Sequence, residues 1–290
     1  MEIKLTMQKK KQNVVLQFLL RLVQGCIIGV GGILPGVSGG AMCVIFGVYR
    51  PLMETLAHPF KNLKKYFWML LPVGLGIGIG FIGFAGIVKQ IMVLHEDQAV
   101  CAFIGLILGM IPQLYRDAGE QGRGKRAWIS LGASFVVLAS VFLYLKYGRG
   151  LHIVPNTGWW FFCGAVWGLN VIIPGTSSSS AMIFLGLFKP MLDGISRLDL
   201  HVVIPIGLGA AAVVLSLSRG INALFKKHHT VTYHAILGAV LAMVLPIIPL
   251  QFGSASDVIW DVVLALIGFG ASLVINAVSQ KYLHKREQTQ

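Results

Sequence analysis

Apolar stretches of roughly twenty residues follow one another along nearly the whole chain, interrupted by short polar clusters. At about 1.5 Å per helical residue, each is long enough for a hydrocarbon core of about 30 Å. The pattern predicts spanning helices over 67–89, 99–114 and 127–146, and again over 201–223, 231–249 and 258–280. Two further apolar stretches, 14–49 and 158–188, are broken near their middles by Pro35-Gly36 and Pro174-Gly175. Pro-Gly ends a helix, and the arm after each break is only about thirteen residues, about 20 Å, too short to cross. Irregular backbone cannot face lipid, so each stretch predicts a re-entrant helical hairpin with its apex buried in protein.

The chain also repeats itself. Residues 35–54 align with 174–193 at a constant offset of 139, matching Pro35/Pro174, Gly36/Gly175, Ser38/Ser177, Gly47/Gly186 and Pro51/Pro190, with Arg50/Lys189 and Glu54/Asp193 conservatively matched. Further on the offset becomes 133, pairing Gly105 with Gly238. The expected organisation is a cytoplasmic segment 1–13, a first repeat 14–147 and a second repeat 158–281 within one integral membrane domain. The fold class is an all-α polytopic membrane protein, each half a re-entrant helical hairpin plus three transmembrane helices.

Composition agrees: of 290 residues, 56% are apolar and only 12% charged, which excludes an ordinary soluble enzyme. The net charge of +13 sits in short clusters between the apolar runs, a distribution of topology signals rather than a nucleic-acid surface. With both termini inside, 18 Lys and Arg fall on the cytoplasmic face and five, Lys89, Lys146, Arg149, Lys189 and Arg197, on the other. Three crossings per half then force opposite orientations, an inverted repeat. Cys26, Cys43, Cys101 and Cys163 lie inside apolar runs without metal-ligand spacing and read as packing residues.

Two Pro-Gly-x-Ser turns entering from opposite faces would bring helix N-termini, with their unpaired N–H groups, toward the midplane, where they suit an anion such as phosphate. Gly39 and Gly40 permit close backbone approach, and Ser38, Ser177, Ser178, Ser179 and Ser180 offer hydroxyls. The same small residues also serve close helix packing and capping. Glu54 and Asp193 are candidates for coupling or gating with protons or sodium, and Arg50 for steering the anion; all three equally suit an interface. Arg21, about 21 Å along a helix from Pro35, is a phosphate contact or a snorkelling cation.

Other signals are weaker. Gly119–Lys125 lacks the Ser or Thr and the strand of a phosphate-binding loop. Gly74, Gly76, Gly78 and Gly80 read as helix packing. His228, His229 and His234 have no cysteine or carboxylate nearby in sequence, so neither a metal nor another cofactor is expected.

At ILPGVSGGAMCVIFGVY (33–49) and IIPGTSSSSAMIFLGLF (172–188) the sequence resembles the bacterial polyprenyl-phosphate transporter family over nearly the whole chain. Ala41 stands where that family usually has threonine, and Ser178 replaces a glycine. The resemblance implies a non-enzymatic flippase, in the bacterial cytoplasmic membrane, that returns undecaprenyl phosphate for reuse in cell-wall synthesis. Its phosphate cradle would comprise Ser38, Gly39, Gly40, Ser177, Ser178 and Ser179, with Arg21 and Arg50 as cationic contacts. A carrier of a small water-soluble anion would use the same helix ends. A membrane pyrophosphatase of the same lipid would need an arginine in the serine turn and a Glu-x-x-x-Glu pair, and the chain has neither.

Overall fold

The computed structural model describes residues 2–37, 39–57, 59–148, 153–172, 178–249 and 254–287, and what it describes is almost wholly helical. The first half comprises α1 (Glu2–Ile33), α2 (Gly39–Ile45), α3 (Tyr49–Ala57), α4 (Pro59–Leu94), α5 (Glu96–Ala118) and α6 (Lys125–Leu143), which ends in a π turn at Tyr144–Gly148. The second comprises α7 (Thr157–Ile172), α8 (Ser178–Phe184), α9 (Phe188–Ser196), α10 (Leu200–Ile247) and α11 (Ala255–Glu287).

Among the described residues, seven helical segments are long and apolar enough to cross a membrane: Val15–Ile33, Lys61–Leu94, Glu96–Ala118, Lys125–Tyr147, Leu200–Ser218, Lys227–Ile247 and Ser256–Val278. The chain is thus a multi-pass membrane protein. Six of the seven coincide with the expected spans. The seventh, Val15–Ile33, is the first arm of the expected hairpin 14–49, whereas its counterpart α7 is 16 residues. Outward faces are apolar, as lipid-facing surfaces must be: Val136, Val137, Leu215, Leu266 and Val274 are all exposed.

The expected separation of the spans 201–223 and 231–249 is present as an interruption inside α10: His228 has non-helical backbone (φ −133°, ψ 39°), so two helices meet there at a kink, and Leu200–Ser218 and Lys227–Ile247 are separate candidate spans. The polar cluster of the sequence marks that interruption.

Helices in lipid gain little from hiding apolar surface against one another, so close backbone packing has to hold them together. Glycine supplies it in each half. A Cβ on Gly25 would meet the Val73 carbonyl at 2.2 Å and one on Gly29 the Ile77 carbonyl at 2.4 Å; Gly76 and Gly80 of α4 answer against Leu22 and Cys26 at 2.1 and 2.2 Å. Between α7 and α10, Gly164 faces the Ile206 carbonyl at 1.9 Å and Gly209 the Phe161 carbonyl at 2.0 Å. Gly105 of α5 faces Ala265 of α11 at 2.0 Å, and Gly238 of α10 faces Leu131 of α6 at 2.4 Å. Gly74 and Gly78, grouped with these by sequence, have open space around them, being two positions off the packed face. Cys43, Cys101 and Cys163 are buried as free thiols.

Candidate functional site

α1 ends at Ile33, and the chain turns through Leu34, Pro35 and Gly36. Gly36 has φ +75°, and a Cβ there would come 2.3 Å from the Leu106 backbone of α5, so only glycine satisfies both the turn and the contact. α2 then folds back along α1: Arg21 Nη1 donates to the Phe46 carbonyl, just past the end of α2, at 3.2 Å, and to Gln24 Oε1 at 3.1 Å. Arg21 therefore meets the carbonyl end of α2, seven residues from the end that would face an anion. The turns leaving the short helices match as well, with Gly47 at φ 68° and Gly186 at φ 69°.

Of the expected site residues, Ser38, Pro174, Gly175 and Ser177 lie outside the described residues. Arg50 falls in the first turn of α3, and its side chain is likewise outside them. Gly39 and Gly40 open α2 and are half-buried, Gly39 packing on Gly32 of α1. Ser178, Ser179 and Ser180 open α8 and are only 3%, 2% and 2% exposed.

The serine hydroxyls have protein partners. Asn170 Nδ2 of α7 donates to Ser178 Oγ at 3.2 Å. Ser179 Oγ donates at 3.0 Å to the Ile33 carbonyl, one of the four acceptors that the end of α1 leaves without a helical partner. That bond joins the break of one half to the break of the other. In this arrangement the Ser179 hydroxyl donates to protein. Ser178 also borders a small cavity of about 140 Å³, otherwise apolar, lined by Val166, Ala181, Ile236 and Met243 among others. Asn170 was not anticipated; a lone amide in the apolar stretch 158–172 was the available signal.

The two paired carboxylates both bind α4, at opposite ends of it. Tyr66 Oη donates to Glu54 Oε2 at 2.7 Å, with Lys65 at 3.9 Å. Asp193 is held by Lys89 and, at 3.0 Å, by Arg197. The Lys89 ammonium, aided by Arg197, holds the Asp193 carboxyl below the usual carboxylate range. Lys189 pairs with Glu96 at 3.0 Å, and Lys146 donates to the Pro246 carbonyl. Four of the five cations expected on the far face are thus engaged by acidic or carbonyl oxygens; the fifth, Arg149, lies outside the described residues. Among the described residues, no three His, Cys, Asp or Glu come together to hold a metal.

A family model described as undecaprenyl phosphate translocase-like matches residues 28–262. The chain belongs to that family. It is 24% identical over 250 residues to the polyprenyl-phosphate transporter of Vibrio cholerae serotype O1, covering 81% of this chain and 79% of that one. It is 21% identical over 276 residues to the polyprenyl-phosphate transporter of Staphylococcus aureus, covering 90% and 96%. No solved structure matches it. The family and both relatives are named as transporters, not enzymes, and the matched region contains both breaks.

Proposed function

We propose that the protein flips undecaprenyl phosphate across the bacterial cytoplasmic membrane, returning the carrier lipid for reuse. The headgroup sits where the two breaks meet, and the halves rock about that point to expose it to each leaflet in turn. The observation that carries this reading is the Ser179–Ile33 hydrogen bond between the breaks of the two halves.

Two further features support it. From Arg21 to Ile33 α1 advances twelve residues, about 18 Å, and Phe46 is back beside Arg21, which is the depth of a re-entrant hairpin reaching about the midplane of a core of about 30 Å. Glu54 and Asp193, matching positions of the two repeats, bind α4 at Lys65 and Lys89, 24 residues apart and so about 36 Å along one helix. Docking at opposite ends of one membrane-long helix is what inverted halves would give. The surplus of cations assigns both termini to the cytoplasm.

In this reading the backbone of Ser38, Gly39 and Gly40 contacts the phosphate, with hydroxyls from Ser38, Ser177 and Ser178. Ser179 positions the second turn from beneath. α2 and α8 are seven residues each, so their unpaired N–H groups rather than a long macrodipole supply the attraction. Arg50 lies at the hairpin end as a steering cation, and Glu54 and Asp193 brace the hairpins on α4. Shielding the phosphate from hydrocarbon removes a large desolvation cost, while the prenyl tail stays in the bilayer.

The test is outer-leaflet undecaprenyl phosphate, measured with a phosphate-lipid-binding antibiotic in cells lacking redundant carriers. Depletion of the protein should raise it, and wild type but not Gly40→Leu at equal abundance should restore it. Unchanged lipid on depletion would overturn the reading in favour of a small-anion carrier, to be followed by phosphate flux into vesicles.

A further inference from the structure

Two helix pairs carry a buried ionisable side chain at the same place in their packing. In α5 and α11 the register is set by Gly105 against Ala265; four residues earlier on each helix stand Cys101 and Asp261. In α10 and α6 it is set by Gly238 against Leu131; four residues earlier stand His234 and Ala127. One helical turn from the closest backbone contact, each pair therefore holds one strongly ionisable residue.

Both residues are covered, and both have an atom without a partner. Asp261 is 7% exposed, and its Oδ1 makes no hydrogen bond among the described residues. His234 is 0% exposed; its Nδ1 lies 2.7 Å from the Thr230 carbonyl, and its Nε2 has no partner among the described residues. A carbonyl only accepts, so Nδ1 carries the hydrogen and the bond leaves Nε2 to face no partner among the described residues. The Trp128 ring of α6 stands edge-on to it at 5.8 Å.

Their surroundings differ. Asp261 is influenced by Asp97 and Cys101 of α5 and by Asp257 of its own helix, and none of these is a cation. Lys146 and Lys189, two cations of the outer face, serve the Pro246 carbonyl and Glu96. Next to His234 in the chain, Tyr233 is influenced by Asp117 and Glu120, and His229 lies 3.9 Å from Glu120. Asp261 is six residues into α11, about 9 Å from its start, and His234 is seven residues into the span that begins at Lys227, about 10 Å. On the charge assignment above, Asp261 is near the outer face and His234 near the cytoplasmic one. A covered carboxylate with an oxygen that has no partner among the described residues is costly as an anion, and a bound proton neutralises it.

We propose that Asp261 and His234 are the proton sites of the transporter, resting on the transport reading above. A proton bound from the outer side at Asp261 passes to an oxygen of the phosphate, crosses with it, and is handed to His234, which releases it to the cytoplasm. Inward movement of an anion opposes an interior-negative potential, and the accompanying proton cancels that charge.

The experiment uses the full chain in phosphatidylethanolamine–phosphatidylglycerol vesicles. Infrared difference spectra between neutral and acid pH should show a protonated-carboxyl band that Asp261→Asn removes, Asp97→Asn keeps and Asp261→Glu restores at a shifted position. A spectrum of Asp261→Asn identical to wild type overturns the proposal. With undecaprenyl phosphate supplied and a pH dye inside, wild type should acidify the lumen, and both Asp261→Asn and His234→Asn, which keeps a donor for the Thr230 carbonyl, should lose that acidification at equal abundance. Lipid movement without acidification overturns the proton proposal and leaves the transport reading standing. If the wild type moves no lipid, the transport reading fails and the infrared band alone decides this one.

Discussion

The two Pro-Gly breaks hold equivalent places in the chain and are made of opposite materials. After the first come Gly39, Gly40 and Ala41, half-buried where described, offering backbone and little else. After the second come Ser178, Ser179 and Ser180, almost fully covered, one accepting from Asn170 and one donating to the Ile33 carbonyl of the opposite half. The described glycines are left half-buried, whereas the described serines are covered and two of them are engaged by protein partners. Hydroxyl count alone would have pointed to the serine turn as the richer ligand site, because a sequence does not show which donors are already committed.

The largest effect should come from removing the conformational freedom of the glycine turn. Gly36→Ala forces a side chain into both a left-handed backbone and the Leu106 backbone, and should cost about 4 kcal/mol or more, read as loss of folded protein after extraction into detergent. Gly186→Ala has the same φ with open space around it and should cost only about 1–2 kcal/mol. Equal losses at the two sites would show that strain, not the α5 contact, makes Gly36 necessary.

The packing seams test whether the halves are built alike. Gly25→Leu against Val73 and Gly164→Leu against Ile206 should each destabilise the folded protein by similar amounts, about 3 kcal/mol at each seam, read from thermal unfolding. A large loss at one and none at the other would break the equivalence of α1 with α7.

Within the serine turn, Ser179→Ala leaves the Ile33 carbonyl without its donor and should cost about 1 kcal/mol in membrane stability. Asn170→Leu should cost about the same by stripping Ser178. The double variant should then fall short of the sum if both act through one brace, as a double-mutant cycle would reveal.

The smallest effect is electrostatic. The folded-state pKa of Asp193 is depressed by Lys89, so its contribution is complete above the usual carboxylate range and disappears as pH falls through the depressed value. Wild type and Asp193→Asn should therefore differ in unfolding temperature at neutral pH and converge in acid. Because Asp193 is partly exposed, the gap should be modest and should shrink with salt. A constant gap across pH would mean that the side chain acts through shape rather than charge.

Much of this molecule follows from the sequence alone. Twenty-residue apolar runs have one stable outcome in lipid, the helix, so the spanning segments and the membrane character follow from hydropathy. Pro35-Gly36 marks its own turn, since proline blocks the helix and glycine alone accepts φ +75° beside another backbone. The offset of 139 anticipates the matching turns at Gly47 and Gly186. Which of Gly74, Gly76, Gly78 and Gly80 would pack depended on the rotation of α4 against α1, a tertiary quantity. Arg21 found a carbonyl at the far end of α2 because α2 folds back, and Ser179 found Ile33 across 146 residues of chain. Asp261 drew no notice as a single letter in an apolar run, and His234 was read only together with His228 and His229, until helix register set the two in equivalent layers. Local chemistry is written residue by residue, whereas the pairing of donors with acceptors is decided only when helices fix their mutual rotation and depth.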